Sequence, residues 1–221
     1  MKKTRIPAKG RRKRIIPSRI DLGDFERTKP FCPRWGDTRG GAIDRYYIDE
    51  FMAKQLRGAK GVMLECGGSR YRRFVNPRNV ESYQDIDILP GCSLQADIQD
   101  MPLVANESRD LVICTQVLQY VEHPARAIAE FHRVLKAGGR LLLSVPCIEQ
   151  ENPRHHDRWR FTVRAVRELL VQFSHQRVVA QGNLFSSACF LMGLGLADLS
   201  ERMLRKPGAH FYQTVVAVAR K

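Results

Sequence analysis

The sequence predicts an α/β domain in which short parallel strands, buried on both faces, alternate with helices. Short strands are read at residues 62–66, 80–83, 111–114 and 141–145, all brief enough for parallel strands buried on both faces. Between the last two, Ile128, Phe131 and Leu135 form an apolar helical stripe that Pro124 opens and Gly138-Gly139 close. A right-handed crossover is the expected connection. The 221 residues, 43% hydrophobic and 27% charged, suit one core better than two.

Taken in order, residues 1–20 hold nine Lys or Arg and no Asp or Glu, and they account for most of the net charge of +14. Their apolar content is too low to offset the entropy of ordering, so a disordered basic arm is expected. Residues 29–41 are turn-rich and aromatic, as in an ordered loop packed on the domain. Ile43, Tyr46 or Tyr47, Phe51 and Leu56 then mark a helix that Gly58 and Gly61 end. The expected organisation is therefore an arm over 1–20, a loop and cap helix over 21–60, and the main domain over 61–221. Beyond Pro146 the chain is polar as far as Thr162, which can cap a helix carrying Val163, Val166, Leu170 and Phe173. Strands are expected at 177–180 and 214–219, with one or two helices in the apolar stretch 184–204.

Composition excludes several classes. No apolar stretch approaches the roughly 18–20 residues that span a bilayer, and no apolar segment follows the basic N-terminus as a signal peptide requires. The six cysteines are widely spaced, without a CxxC pair or a zinc-type Cys/His spacing. A reducing, cytoplasmic setting is expected, with no metal. The arm could hold an acidic partner such as RNA or an anionic membrane surface, or serve as a solvated tail.

Polar residues gather where the strands end. The first strand runs into Glu65-Cys66-Gly67-Gly68-Ser69, an acid and a glycine turn at the edge where open α/β sheets bind ligands. Asp85 lies roughly 20 residues beyond the turn, the interval at which a carboxylate accepts hydrogen bonds from a ribose diol. Asp87, the second acid there, reads as a surface residue. Further on come Ala96-Asp97-Ile98, read as the end of a third short strand, and Thr115-Gln116 after the strand at 111–114.

In this order the segments resemble the class I S-adenosylmethionine-dependent methyltransferases, in the broad methyltransferase type 11 group. Leu64-Glu65-Cys66-Gly67-Gly68-Ser69 is similar to their cofactor loop, Ala96-Asp97-Ile98 to their adenine-side acidic motif, and Arg133-Val134-Leu135-Lys136-Ala137-Gly138-Gly139 to the block before strand five. The resemblance covers roughly residues 60–180 and the closing strands. It implies a Rossmann-like, seven-stranded, mostly parallel sheet with an antiparallel last strand and helices on both faces. It also implies S-adenosylmethionine as cofactor, S-adenosylhomocysteine as product, and Glu65, Cys66, Gly67, Gly68, Asp85, Asp97, Ile98, Thr115 and Gln116 around the cofactor. Arg34-Trp35-Gly36, the segment from Ile43 to Phe51, Asp157-Arg158-Trp159-Arg160-Phe161-Thr162 and Gly182-Asn183-Leu184 look like a bacterial subgroup associated with glycan assembly. Two departures stand out. Ser69 replaces a second loop glycine, and Leu118-Gln119-Tyr120-Val121 stands where many relatives carry Leu-Glu-His-Val, so a base role for that histidine has no counterpart here. His123 reads as a residue of the helix start.

Methyl transfer from a sulfonium needs positioning and, for a hydroxyl acceptor, removal of one proton. His156, oriented by Asp157, is the expected base. Arg45, Tyr47 and Arg160 are the expected acceptor contacts, with Trp159 structural. The leading reading is O-methylation of a sugar-containing or other small acceptor. The alternatives are an RNA methyltransferase using the basic arm, which lacks an Asn-Pro-Pro-Tyr type motif, and a non-catalytic cofactor-binding module. A nicotinamide dehydrogenase is disfavoured because no GxGxxG follows the first strand. Oligomeric state is left open.

Overall fold

A computed structural model describes residues 23–208 and 210–221; the basic arm at 1–20 lies outside them. The apolar runs assemble into a single seven-stranded sheet. Its strands are β1 (Gly61–Cys66), β2 (Val80–Asp87), β3 (Leu94–Gln95), β4 (Arg109–Thr115), β5 (Leu135–Pro146), β6 (His175–Gln181) and β7 (Thr214–Arg220). Their order is β3-β2-β1-β4-β5-β7-β6, and β7 runs antiparallel to both of its neighbours while the rest are parallel. This is the expected class I architecture. The order reverses at β1, so β1 and β4 open a crevice at their carboxyl ends, where such sheets bind ligands.

One face of the sheet carries α2 (Pro124–Val134) and α3 (Val163–Leu169), which follow α1 (Ile43–Leu56) in the chain. Ile128, Phe131, Val134, Val166 and Leu170 are fully buried there against Leu64, Val112, Leu141 and Leu143. Each such side chain contributes roughly 1.5–3 kcal/mol on burial, which is why an apolar helical stripe docks on a strand face. Thr162 caps α3 by accepting from Ala165 N at 3.2 Å, as the sequence suggests.

The opposite face is covered by α1, whose Ile48, Met52 and Leu56 pack on Met63, Leu111 and Leu142. The helix thus belongs to the sheet's own core, not to a separate cap. Between β1 and β2 the chain makes only two 3-10 turns, Arg70–Phe74 and Pro77–Asn79, so α1 fills the layer that a first crossover helix would occupy. The remaining helices, α4 (Leu184–Leu191) and α5 (Glu201–Leu204), lie between β6 and β7. Phe190 and Leu204 pack with Ile43 and Tyr47 in a third cluster beneath the N-terminal loop. Gly36 fastens that loop: its φ is +85°, and a Cβ would stand 2.5 Å from the Leu194 carbonyl oxygen.

Two expectations change. The helix after Pro124 ends at Val134, four residues before Gly138, because Leu135 already pairs with Arg109 across the sheet. The third short strand is Leu94–Gln95, just before Ala96-Asp97-Ile98.

Candidate active site

Two cavities adjoin at the carboxyl edge of the sheet and share Arg45, Gln116 and Tyr120. The first, about 510 Å³, lies over the glycine turn after β1 and is lined by Gly67, Asp87, Ile88, Leu89, Asp97, Ile98, Thr115, Val117, His155 and Arg158. Gly67 holds φ +77°, and a Cβ there would press within 2.8 Å of Val117 Cγ2, so only glycine fits the turn. Ile88 and Leu89 are 64% and 55% exposed, two apolar side chains on the rim that no element among the described residues covers.

Of the residues expected around this cavity, Gly67, Asp97, Ile98, Thr115 and Gln116 line it. Asp85 does not. Its carboxylate is taken by Ser93, whose N–H donates at 3.0 Å and whose hydroxyl donates a short hydrogen bond, and these bonds hold it below the usual carboxylate range. Asp87, two residues on and read from sequence as surface, is the carboxylate at the end of β2 that lines the cavity. The 20-residue interval cannot separate two acids of one strand. The alternation of side chains sends both to one face, and the point where the strand ends selects Asp87.

Glu65 is also displaced from its expected role. It is 2% exposed and receives hydrogen bonds from Tyr71 N at 3.2 Å and from the Tyr83 hydroxyl. Burial outweighs those bonds and pushes its carboxyl up to about 7. It fixes the 3-10 turn against β2. Cys66 is buried beside Cys114, its register partner across β1 and β4, with its thiol raised by that neighbour and by burial. Gly68, at φ +118°, completes the turn but is not among the lining residues.

The second cavity, about 740 Å³, is lined by the N-terminal loop and α1 (Trp35, Asp37, Asp44, Arg45, Tyr46, Asp49), by Arg70 and Arg73, and by Glu149 and Asn152 from the segment after β5. Asp49 is occupied, accepting from Arg70 at 3.2 Å, Arg73 at 2.7 Å and the Tyr71 hydroxyl at 3.1 Å. Arg45 lies 3.7 Å from Asp44 and donates to the Tyr71 hydroxyl at 3.4 Å. Burial raises the Asp44 carboxyl, with Arg45 opposing. Glu149 is pushed up to about 7 by burial and by the nearby Asp44 charge, against the pull of Arg160.

The expected base and most of the expected acceptor contacts lie elsewhere. His156 is exposed and lines neither cavity. Asp157 does not orient it, because its carboxylate takes Arg160 at 2.6 and 2.9 Å and Asn152 N at 2.9 Å. Arg160 also donates to the Glu149 and Gln150 carbonyls, so this pair braces the loop after β5. Tyr47 is buried and donates to the Leu204 carbonyl at 3.0 Å. Trp159 donates its indole N–H to the Val121 carbonyl at 2.9 Å, the structural role expected of it. Arg45 is the one expected acceptor contact that lines the cavities. His155, not His156, faces the first cavity, its ring 4.9 Å from that of Tyr120.

Asp44 and Glu149 escaped the sequence reading for different reasons. Asp44 looks like an ordinary first-turn acid, favourable to the helix dipole, and Glu149 is one acid in a polar run with no spacing to mark it. No helix among the described residues is long and apolar enough to cross a membrane.

A family model described as a methyltransferase domain matches residues 66–143, the span from the glycine turn through β5. A 49-residue stretch is 45% identical to the malonyl-[acyl-carrier protein] O-methyltransferase of Hahella chejuensis, covering 22% of this chain and 17% of that protein. The chain therefore spans less than a fifth of the curated relative it matches. Among solved structures, an S-adenosylmethionine-dependent methyltransferase from Archaeoglobus fulgidus superposes with a TM-score of 0.58 at 11% identity, over 84% of this chain and 97% of that one. The N-methyltransferase NodS of Bradyrhizobium japonicum, solved with S-adenosylhomocysteine, gives 0.53 at 16% identity, over 82% and 88%. These structures share the fold. Residues 66–143 thus match a methyltransferase domain, and the sheet has the fold of the S-adenosylmethionine-dependent methyltransferases it superposes on.

Proposed function

We propose that the protein transfers a methyl group to a hydroxyl of a sugar-containing small acceptor, with the donor in the first cavity and the acceptor in the second. The observation that carries this reading is the pairing of two unlike cavities across Arg45, Gln116 and Tyr120. The first has what S-adenosylmethionine requires: the Asp87 carboxylate for a ribose diol, Ile88, Leu89 and Ile98 for the flat adenine, and the Gly67 turn for close backbone approach. When bound, that cofactor supplies an electrophilic methyl carbon. What the chain adds is orientation and the fate of one proton.

Oxygen as the acceptor atom is supported by the chemistry of the second cavity, where carboxylates, an amide and an indole suit hydroxyl groups. The O-methyltransferase named among the relatives agrees with it. Sugar as the acceptor class is supported by that lining and by the likeness of the Arg34–Gly36, Ile43–Phe51 and Asp157–Thr162 segments to a glycan-associated subgroup. We infer a cytoplasmic setting, which suits six cysteines held as free thiols.

The test is transfer of labelled methyl from S-adenosylmethionine to a panel of free, nucleotide-linked and lipid-linked sugars, with RNA as a parallel acceptor. Label in an O-methyl sugar is expected. Label confined to RNA, or to a sugar amine, would contradict the reading.

A further inference from the structure

Three residues that line the second cavity each carry a buried polar atom with no hydrogen-bond partner among the described residues: Asp44 Oδ1, Glu149 Oε2 and Trp35 Nε1. Buried polar groups are normally paired, and leaving a carboxylate oxygen unpaired is among the costlier defects a fold can carry. Asp44 is only 6% exposed. Other unpaired buried atoms are scattered through the described residues, whereas these three belong to the lining of one cavity, which points to a ligand as their common partner. The backbone is also held in an unfavourable form here, with φ +54° at Trp35 and +53° at Gln116, both lining residues.

The unpaired set defines its ligand. Two acceptors and one donor must be met at once. An anion is disfavoured because four acids of the lining, Asp37, Asp44, Asp49 and Glu149, face its three arginines, each of which already lies beside an acid, Arg70 and Arg73 at Asp49 and Arg45 at Asp44. An ammonium could meet the carboxylates, but it has no lone pair for the Trp35 indole N–H and would crowd Arg45. A hydroxyl donates and accepts, so a pair of neighbouring hydroxyls supplies both the protons and the lone pair that the set calls for.

Glu149 is also near the junction of the cavities. Its charge is felt at Tyr120 and at Arg45, both of which line the two cavities together. The groups that face it are Asp44 and Arg45 from α1, Asp157 and Arg160 from the loop after β5, and Tyr120. Tyr120 accepts from Asn152 Nδ2 at 3.2 Å, and burial raises its phenol, which keeps it protonated.

Resting on the acceptor-cavity reading above, we propose that Asp44 and Glu149 receive two neighbouring hydroxyls of an uncharged polyol, and that Glu149 takes the proton of the hydroxyl that is methylated. The acceptor oxygen forms its bond to the methyl carbon as the sulfur–methyl bond breaks with its electron pair on sulfur, and the hydroxyl proton passes to a Glu149 carboxylate oxygen. Trp35 Nε1 donates to an oxygen of the same ligand.

The experiment uses the full chain saturated with S-adenosylhomocysteine, its binding first measured by calorimetry. Three matched probes follow: methyl glucoside, glucose phosphate and glucosamine. Methyl glucoside is expected to bind, at least tenfold more tightly than the charged probes, and Asp44→Asn, or Asp44→Ser should the first fail to fold, is expected to weaken it at least fivefold. Glu149→Gln is expected to keep binding within about threefold while cutting methyl-label transfer to the glucoside more than a hundredfold and removing its rise with pH. Preferred binding of the phosphate or the amine overturns the polyol assignment. A glucoside that binds but takes no label from the unmodified protein, or full transfer by Glu149→Gln, overturns the proton role. Binding of S-adenosylhomocysteine with no probe bound overturns the pair while leaving the methyltransferase reading intact, whereas failure to bind S-adenosylhomocysteine overturns both.

Discussion

The two cavities are built from different material. The first is framed by sheet: the ends of β1, β2 and β4 supply Gly67, Asp87 and Thr115, and its specificity comes from where strands stop and how a turn is shaped. The second is framed by additions to the sheet, namely the N-terminal loop, α1 and the segment after β5. It is also the electrostatically unsettled one, with two acids raised by burial and three buried polar atoms unpaired. On the proposal that the first cavity holds the donor and the second the acceptor, the difference is a division of labour. A donor common to many reactions can be held by backbone geometry that the fold repeats, whereas an acceptor must be recognised by side chains that each chain supplies for itself.

The largest effect that would sharpen this contrast is expected at Gly67. Gly67→Val places a branched side chain at φ +77° and against Val117, a cost of roughly 2 kcal/mol or more before any ligand is considered. Binding of S-adenosylhomocysteine should fall at least thirtyfold by calorimetry, while the second cavity's probes keep their order. Retained binding would mean that the turn does not approach the donor.

Glu149 tests the other side. Its carboxyl is raised from 4.5 to about 7 in the fold, so the folded state holds this proton more tightly than the unfolded chain. Its contribution to stability is full below 4.5 and is lost as pH rises to about 7. At roughly 1.4 kcal/mol per unit, and allowing for solvent in the cavity, the swing is on the order of 2 kcal/mol. Glu149→Gln should therefore gain melting temperature relative to the unmodified protein at pH 8 and not at pH 5. An equal change at both pH values would contradict the buried, raised carboxyl.

Tyr83→Phe separates Glu65 from the donor site. Removing the hydroxyl leaves the buried Glu65 with only backbone N–H partners in the 3-10 turn, which should cost about 1–2 kcal/mol in denaturant unfolding. S-adenosylhomocysteine affinity should stay within about twofold. Loss of affinity without loss of stability would return Glu65 to the binding role the sequence suggests. His156→Ala should do least, within about 0.5 kcal/mol of stability and with unchanged methyl transfer, because the side chain is exposed and outside both cavities.

These cases show what a sequence reveals about such a protein. The central strands β1, β4 and β5 announce themselves because burial on both faces leaves near-continuous apolar runs, and Gly67, Thr115 and Gln116 follow from where those runs end, whereas the half-buried, polar β2 and the two-residue β3 leave a fainter trace. The choice between Asp85 and Asp87 was beyond reach, since it turns on Ser93 capturing one of them from eight residues away. The same holds for His156 and Asp157, whose adjacency suggested a catalytic pair until Arg160 claimed the carboxylate. Asp44 and Glu149 are more than a hundred residues apart, and only the packing of α1 beside the segment after β5 brings them to one cavity.

The most direct test of the division between the cavities is calorimetric titration of S-adenosylhomocysteine into three proteins: the unmodified chain, Asp87→Ala and Asp85→Ala. If Asp87 at the end of β2 holds the donor's ribose, the Asp87 variant should lose at least tenfold in affinity, about 1.4 kcal/mol, and the Asp85 variant should bind within twofold. Full binding by the Asp87 variant, with the loss falling on Asp85 instead, would contradict the donor cavity as drawn here.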